Sequence, residues 1–249
     1  MKNLVIQYYI NIDLYPQPNS KRGPAWLQIK ANQVEQYSEY SFRKYCKKYG
    51  HDFKRITKPT LGYRHPTWER FDLWFNKKWL DEYDQILYVD TDVFALDHAP
   101  DIFAQYNDPD TFKSPAYRKY RGMPLKEIKD TFKDTIIEDC DEEKVQKIFF
   151  QTGVWMVNRY IRDKMMPWVE RYKEFDCDDG RFLNWAVIKS GVKYQDMNPM
   201  FNVKNNGLKR EWNYKQTFFL HSAGGKKYLA NDKIHPFLAK TFPEVNLNV

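Results

Sequence analysis

Cysteine is scarce: Cys46, Cys140 and Cys177 are the only three among 249 residues, and they lie far apart. No C-x-x-C spacing exists, which excludes the common zinc and dithiol motifs. An odd, sparse count suits a reducing compartment. Glycine is also sparse, with 10 residues, and no glycine-rich loop with Arg and Lys follows the first apolar stretch. Long apolar runs are missing. Leu4 to Ile10 is too short for a signal-peptide core with a cleavage site, and nothing approaches the length of a membrane-spanning helix. The expectation is a soluble, cytoplasmic protein with no transmembrane segment. Internal repeats and low-complexity segments are absent.

Acidic residues are outnumbered, 33 Asp and Glu against 40 Lys and Arg, giving a net charge of +7. That balance favours anionic partners such as nucleotides and phosphorylated sugars. The basic excess is dispersed apart from short groups such as Arg43-Lys44, Lys47-Lys48 and Lys226-Lys227. No polybasic tail or long stripe exists, so nucleic acid is not an expected partner. Aromatics are abundant, with 8 Trp, 18 Tyr and 17 Phe, which excludes a disordered chain. The length suits one large domain, or one with an inserted subregion.

The most informative stretch is Ile86-Leu87-Tyr88-Val89-Asp90-Thr91-Asp92-Val93-Phe94. Its apolar lead reads as a buried strand. Side chains alternate along a strand, so Asp90 and Asp92 share a face if extended geometry persists past its end. Two carboxylates held that close repel one another, and an oxygen-rich pair of this kind suits Mg²⁺ or Mn²⁺. Such cations take remaining ligands from substrate phosphates. The competing explanation is turn chemistry, because Asp also favours tight turns.

Around this motif the chain alternates. A strand is expected over Leu4 to Ile10, then a helix from Pro24 with period Leu27, Ala31, Val34, Ser38, Ser41 and Tyr45, stopped by Gly50. A strand over His51 to Thr57, a helix from Pro66 to about Leu80, and the strand ending in Asp90 follow. That order predicts a parallel α/β sheet with ligands beyond the carboxyl ends of its strands. Residues 107 to 147 are rich in Lys, Asp and Glu and read as a surface insertion with short helices near Pro124 to Phe132 and Glu142 to Phe149. Phe149 to Asn158 reads as a buried strand with a mid-strand glycine, Gly153, and Asp179 to Lys189 as a helix ended by Gly191.

Phe218-Phe219-Leu220 delivers His221, then Ser222-Ala223-Gly224-Gly225-Lys226-Lys227. An imidazole adds a nitrogen ligand to a carboxylate-bound metal. A glycine turn offers N–H groups to phosphate oxygens, and Lys226 or Lys227 can neutralise them. Tyr8 or Tyr9 at the end of the first strand can stack on a base, with ordinary core packing as the alternative. Asp-x-Asp after an apolar strand also occurs in haloacid-dehalogenase-type phosphatases, but there it follows the first strand, and position 94 is Phe where Thr or Val is wanted. A nucleotidyltransferase normally carries the early glycine-rich loop missing here. A non-catalytic glycan-binding protein would explain the aromatics and leave Asp90, Asp92 and His221 unexplained.

Taken in order, these features resemble a metal-dependent GT-A glycosyltransferase, and are similar to the glycogenin-like and galactosyltransferase (GMA12/MNN10-like) families. The resemblance rests on Asp90-Thr91-Asp92, on His221-Ser222-Ala223-Gly224 with the lysines behind it, and on Tyr45-Cys46-Lys47-Lys48-Tyr49-Gly50-His51-Asp52-Phe53. It also rests on Arg64-His65-Pro66-Thr67-Trp68-Glu69-Arg70, on Gln151-Thr152-Gly153-Val154-Trp155-Met156-Val157-Asn158, and on Asp179-Gly180-Arg181-Phe182-Leu183-Asn184. The last departs from the families by carrying Gly180 where they have Gln. Arg70 stands where they have Lys.

The resemblance implies a GT-A (Rossmann-like nucleotide-diphospho-sugar transferase) fold, with a mostly parallel central sheet flanked by helices. It implies one domain over residues 1 to 249: a nucleotide-binding half to residue 106, the insertion, and an acceptor half from 148 that carries the metal-ligand His. It implies transfer of a sugar from a nucleotide-diphosphate donor, a UDP-sugar, to a glycan or glycoprotein hydroxyl. The implied roles are Asp90, Asp92 and His221 on Mn²⁺ or Mg²⁺; Tyr8, Tyr9, Arg70, Thr91, Gly224, Lys226 and Lys227 on the donor; Asp179 in catalysis; and Gln151, Trp155 and Asn184 on acceptor or sugar.

Overall fold

Strand-forming and helix-forming segments alternate through the first ninety residues, and the computed structural model follows that rhythm. It describes residues 1–10, 14, 34–116, 126–127, 140, 142–175, 177–204, 215–222 and 234–245. The strands are β1 (Asn3–Tyr8), β2 (Asp52–Ile56), β3 (Gln85–Val89), β4 (Val93–Ala95), β5 (Thr111–Ser114), β6 (Val154–Val157), β7 (Lys193–Asp196), β8 (Val203–Lys204) and β9 (Phe219–His221). The α-helices are α1 (Val34–Tyr49), α2 (Asp72–Phe75), α3 (Lys77–Glu82), α4 (Ile102–Gln105), α5 (Glu142–Ile148), α6 (Arg159–Val169), α7 (Asp179–Ser190) and α8 (Ile234–Thr241). Six strands form a sheet in the order β2-β1-β3-β6-β5-β7, and three form a second in the order β4-β9-β8. The fold is α/β with a helix-flanked sheet. No helix among the described residues is long and apolar enough to cross a membrane.

The chain divides into two compact units. One comprises Leu4–Glu69, Val89–Asp101 and Met200–Val249. Here β1 runs parallel to β2, with Gln7 opposite Arg55. Helix α1 closes with Gly50 at φ 73°, a left-handed turn that a side chain would strain. Val34, Tyr37, Phe94, Leu96, Leu220, Leu238 and Phe242 pack into one core cluster. Phe94 and Leu220 oppose each other in the antiparallel β4·β9 pair. Because successive strand residues face opposite ways, burying these two sends Val93 and His221 to the other face.

The other unit comprises Met1–Asn3, Arg70–Tyr88 and Ile102–Pro199. Strand β5 pairs antiparallel with β6 and parallel with β7. Trp155 is fully buried among Tyr88, Trp74 and Phe112, with ring centroids 4.8, 5.3 and 5.9 Å away. Helix α7 begins with Asp178 as N-cap, its carboxylate accepting from the N–H of Arg181, and ends on Gly191.

Several segments differ from their sequence expectation. The helix expected from Pro66 is three pieces: a 3₁₀ turn over Pro66–Phe71, then α2 and α3, separated where Asn76 adopts φ −90°, ψ 90°. Part of the expected surface insertion, Thr111–Ser114, is a buried strand. Gly153 lies in a turn ahead of β6 and not within a strand. The stretch from Pro24 to Gln33 and most of that from Pro124 to Phe132 fall outside the described residues.

Strand β5 also buries a lysine. Lys113 is 2% exposed, and its ammonium donates to the carbonyls of Asp108 and Thr111. Burial lowers its pKa to about 8, against the opposing pull of Asp108 and Asp110. In the unfolded chain a lysine titrates near ~10.4. Between those values the unfolded state binds the extra proton, so this group makes stability rise with pH. Urea melts at pH 7.5, 8.5 and 9.5 should show wild type gaining on Lys113→Met by roughly 1–3 kcal/mol across that window. Parallel pH profiles for the two proteins would contradict the burial argument.

Candidate metal and donor site

Strand β3 ends at Val89, and the chain turns at once. The N–H of Val93 donates to the carbonyl of Asp90 at 3.1 Å, closing a four-residue turn over Asp90-Thr91-Asp92-Val93. The expectation that extended geometry brings the two carboxylates together is therefore replaced by a turn that does so. Asp in a tight turn is locally favoured, so turn chemistry and a convergent acid pair coexist in one motif.

Strand β9 completes the cluster. Its register sets His221 opposite Val93, one residue beyond Asp92. The N–H of Ser222 donates to the carbonyl of Asp92 at 2.8 Å, fixing that end of the turn. His221 Nε2 lies 3.2 Å from Asp92 Oδ1 and 3.8 Å from Asp90 Oδ2. One ligand atom from each of Asp90, Asp92 and His221 lies within 4.8 Å of the others. The imidazole is buried, while the two carboxylates are partly open to solvent.

The donor set fits a divalent cation. His221 Nδ1 is 2.7 Å from Asn202 Oδ1. A carbonyl oxygen only accepts, so Nδ1 donates to Asn202 and Nε2 is turned towards the carboxylates, where a neutral ring would offer its lone pair to a cation. An outer partner on the far nitrogen is how ligating histidines are usually oriented. Two carboxylates and one imidazole suit Mn²⁺ or Mg²⁺, with coordination positions left for phosphate oxygens and water. Sequence reasoning missed Asn202; nothing in its local pattern distinguishes it from a loop asparagine.

It also missed Gln7, whose signal was available: a lone amide within the apolar run Leu4 to Ile10. Gln7 is fully buried and its Nε2 donates to the carbonyl of Asp90 at 3.3 Å and to Ser38 Oγ at 2.8 Å. Ser38 in turn donates to the carbonyl of Val93 at 2.5 Å. The acidic turn is thus held at its first and last residues. Of the two tyrosines expected on a base, Tyr8 is buried and Tyr9 is 42% exposed, its ring 5.4 Å from the Arg55 guanidinium. Thr91 sits in the turn itself.

In the other unit, Arg70 is buried. Its Nε pairs with Asp179 Oδ2 at 3.1 Å, its Nη1 donates to the carbonyl of Thr152 at 2.9 Å, and its guanidinium lies 4.7 Å from the Tyr88 ring. Asp179 is the residue after the N-cap, which frees its carboxylate for this pair. A Cβ on Gly180 would meet Thr152 Oγ1 at 2.9 Å. Thr152 thus occupies the space that a larger residue at 180 would take.

Trp155 and Asn184, expected on sugar, are placed in the interior. Trp155 is a core ring, and the Asn184 amide bonds to the N–H and carbonyl of Phe150 and the carbonyl of Gly180. The Trp155 ring is consumed by packing and the Asn184 amide by its hydrogen bonds. Gln151 is half-buried, with its N–H on the carbonyl of Pro115. Gly224, Lys226 and Lys227 lie outside the described residues.

No protein-family model matches the sequence, and no curated protein matches it. Solved structures do match by fold. A glycosyltransferase involved in glycosylation of the major capsid of PBCV-1 superposes with a TM-score of 0.58 at 12% identity, covering 98% of this chain and 100% of that one. An active-site mutant of LgtC superposes with a TM-score of 0.51 at 15% identity, covering 99% of this chain and 97% of that one. At these identities the likeness is one of fold, and the chain has the α/β architecture of GT-A-type glycosyltransferases.

Proposed function

We propose that this protein transfers a sugar from a nucleotide-diphosphate-sugar donor, a UDP-sugar, to a hydroxyl of a glycan or glycoprotein, with Mn²⁺ or Mg²⁺ held by Asp90, Asp92 and His221. The observation that carries this reading is the convergence of those three side chains within 4.8 Å, from turn and strand segments far apart in sequence. The GT-A-type fold supports it.

Breaking the donor's glycosidic bond releases a nucleoside diphosphate, and a cation at this site would supply Lewis-acid stabilisation of the growing charge. The chain's residues then have separable tasks. Asn202 orients the ring of His221 so that Nε2 faces the acids. Thr91 exposes turn backbone towards the donor, and Tyr9, the exposed tyrosine, stacks on the base. Gly224, Lys226 and Lys227 are assigned to the diphosphate. Asp179 is assigned to the donor sugar or the acceptor hydroxyl, and Arg70 holds its carboxylate in place.

The direct test is a panel of sugar nucleotides with purified protein, read as release of nucleoside diphosphate to water with and without Mn²⁺. Metal-dependent release from one donor supports the proposal. Release of a nucleoside monophosphate or of inorganic phosphate would redirect it to nucleotidyl transfer or to phosphatase chemistry. Binding of glycans with no turnover of any donor would make the protein a lectin. In the same assay His221→Ala should raise the Mn²⁺ concentration for half-maximal activity by at least about tenfold, the lower range for disturbing a metal's partners. An unchanged Mn²⁺ titration would remove the imidazole from the site.

A further inference from the structure

Gln7 does more than fill a strand. It stands opposite Arg55 in the parallel β1·β2 pair. Its Oε1 accepts from Arg55 Nε at 3.2 Å and Nη2 at 2.7 Å. Arginine only donates, so the amide orientation is fixed by chemistry: Oε1 faces Arg55, and Nε2 faces Ser38 and the carbonyl of Asp90. All of the amide's hydrogen-bonding capacity is engaged. Arg55 is locked as well, with Nη2 on the carbonyl of Glu35 at 2.7 Å and Nη1 on Glu39 Oε2 at 2.9 Å. The partly exposed ring of Tyr9 lies with one face over this guanidinium.

A continuous chain of contacts therefore runs from an exposed aromatic ring, through a buried guanidinium and a buried amide, to both ends of the acidic turn. We propose that Gln7 is a positioning residue that links two events: an aromatic base settling on the Tyr9–Arg55 pair, and a divalent cation settling on the Asp90 turn. The link rests on the site reading proposed above. A base packed on Tyr9 would shield the guanidinium and its bonds to Gln7 from water, which strengthens bonds that are already formed. The amide then grips the carbonyl of Asp90 more firmly, and Ser38 that of Val93. A turn that fluctuates less loses less freedom when the cation binds. By reciprocity, the cation tightens the base to the same degree.

In an intact nucleoside diphosphate the phosphates would bridge base and metal and mask this linkage, so the probes are nucleosides without phosphate. Mn²⁺ binding is titrated by electron paramagnetic resonance in the presence and absence of uridine, cytidine, guanosine or adenosine. At least one nucleoside is expected to tighten Mn²⁺ by about fivefold, the lower range of ordinary coupling between sites. Gln7→Glu keeps the acceptor for Arg55 but turns an oxygen towards the carbonyl of Asp90, so it cuts the chain on one side only. That variant should bind Mn²⁺ about tenfold more weakly and show no nucleoside effect. Arg55→Met cuts the other side. It should bind Mn²⁺ more weakly than wild type, because the Gln7 oxygen loses the guanidinium that orients it, and should also lose the nucleoside effect, which decides the matter if Gln7→Glu does not fold. A nucleoside effect that survives in a folded variant, or none in wild type that does bind Mn²⁺, overturns the linkage. Wild type that binds no Mn²⁺ overturns instead the site reading on which it rests.

Discussion

Asp92→Asn should abolish metal-dependent nucleotide binding and donor turnover while leaving the metal-free protein as stable as wild type or slightly more so. The sign of the second effect is the stronger test. Without a cation, Asp90 and Asp92 place two carboxylates around one imidazole in a turn whose backbone is already satisfied. Like charges at that range destabilise, and an isosteric amide removes one of them. The turn keeps its anchors, because the bonds from Val93 and Ser222 run to backbone carbonyls. With Mn²⁺ and UDP at about a hundred times their dissociation constant, wild type should gain about 2.7 kcal/mol of stability. For a chain of this size that is a rise of roughly 5–10 °C in melting temperature. The variant should show no rise, and donor hydrolysis should fall by more than about a hundredfold, beyond the range for an outer-shell change. Calorimetry with and without ligands reads both. A variant that retains the metal-dependent rise would show that this carboxylate is not a ligand.

The elements legible in the sequence were those whose signal is local. An apolar run into Asp-Thr-Asp, and a second apolar run into His221, are visible as strings because burial and charge change abruptly at one residue. What could not be read was the path between them. The four-residue turn at Asp90 replaces the extended geometry that alternation suggests, because the strand ends with its apolar run at Val89 and the chain turns at the first acid. The meeting of His221 with Asp92 depends on the register of two three-residue strands, set by burying Phe94 and Leu220 together. Strands that short carry too little periodicity to reveal a register.

Helix α6 was missed for a similar reason. Asn158 looks like the polar end of a strand, yet its side chain accepts from the N–H of Ile161 and caps the helix. Pro167 inside that helix adds a false stop. Strand β5 was hidden by its own lysine and by the acidic residues before it, since a buried Lys113 makes a core strand look like surface. In each case a polar residue serves the interior, and composition alone reports it as solvent-facing. Gln7 belongs to the same group, with the difference that its apolar neighbours betray it.

Arg70→Met should be strongly destabilising, by about 3–5 kcal/mol in urea melts. The pair with Asp179 has side chains only 5% and 13% exposed. Deleting the guanidinium takes a buried counter-charge from Asp179, removes a donor from the carbonyl of Thr152, and removes the cation beside Tyr88. Replacing both partners at once, Arg70→Met with Asp179→Asn, removes the charge along with its counter-charge. The double variant should therefore recover about 1–3 kcal/mol relative to the sum of the singles, the coupling expected of residues in direct contact. Arg70→Lys keeps the charge but has no fork. It can reach the carboxylate or the carbonyl and not both, so it should fall between wild type and Arg70→Met. Kinetics separate two roles for this arginine. If it acts through Asp179, Arg70→Lys and Asp179→Asn should lower kcat by similar factors with donor KM little changed. A large rise in donor KM in Arg70→Lys alone would mean that the guanidinium grips the phosphates itself, and that the pair with Asp179 opens when donor binds.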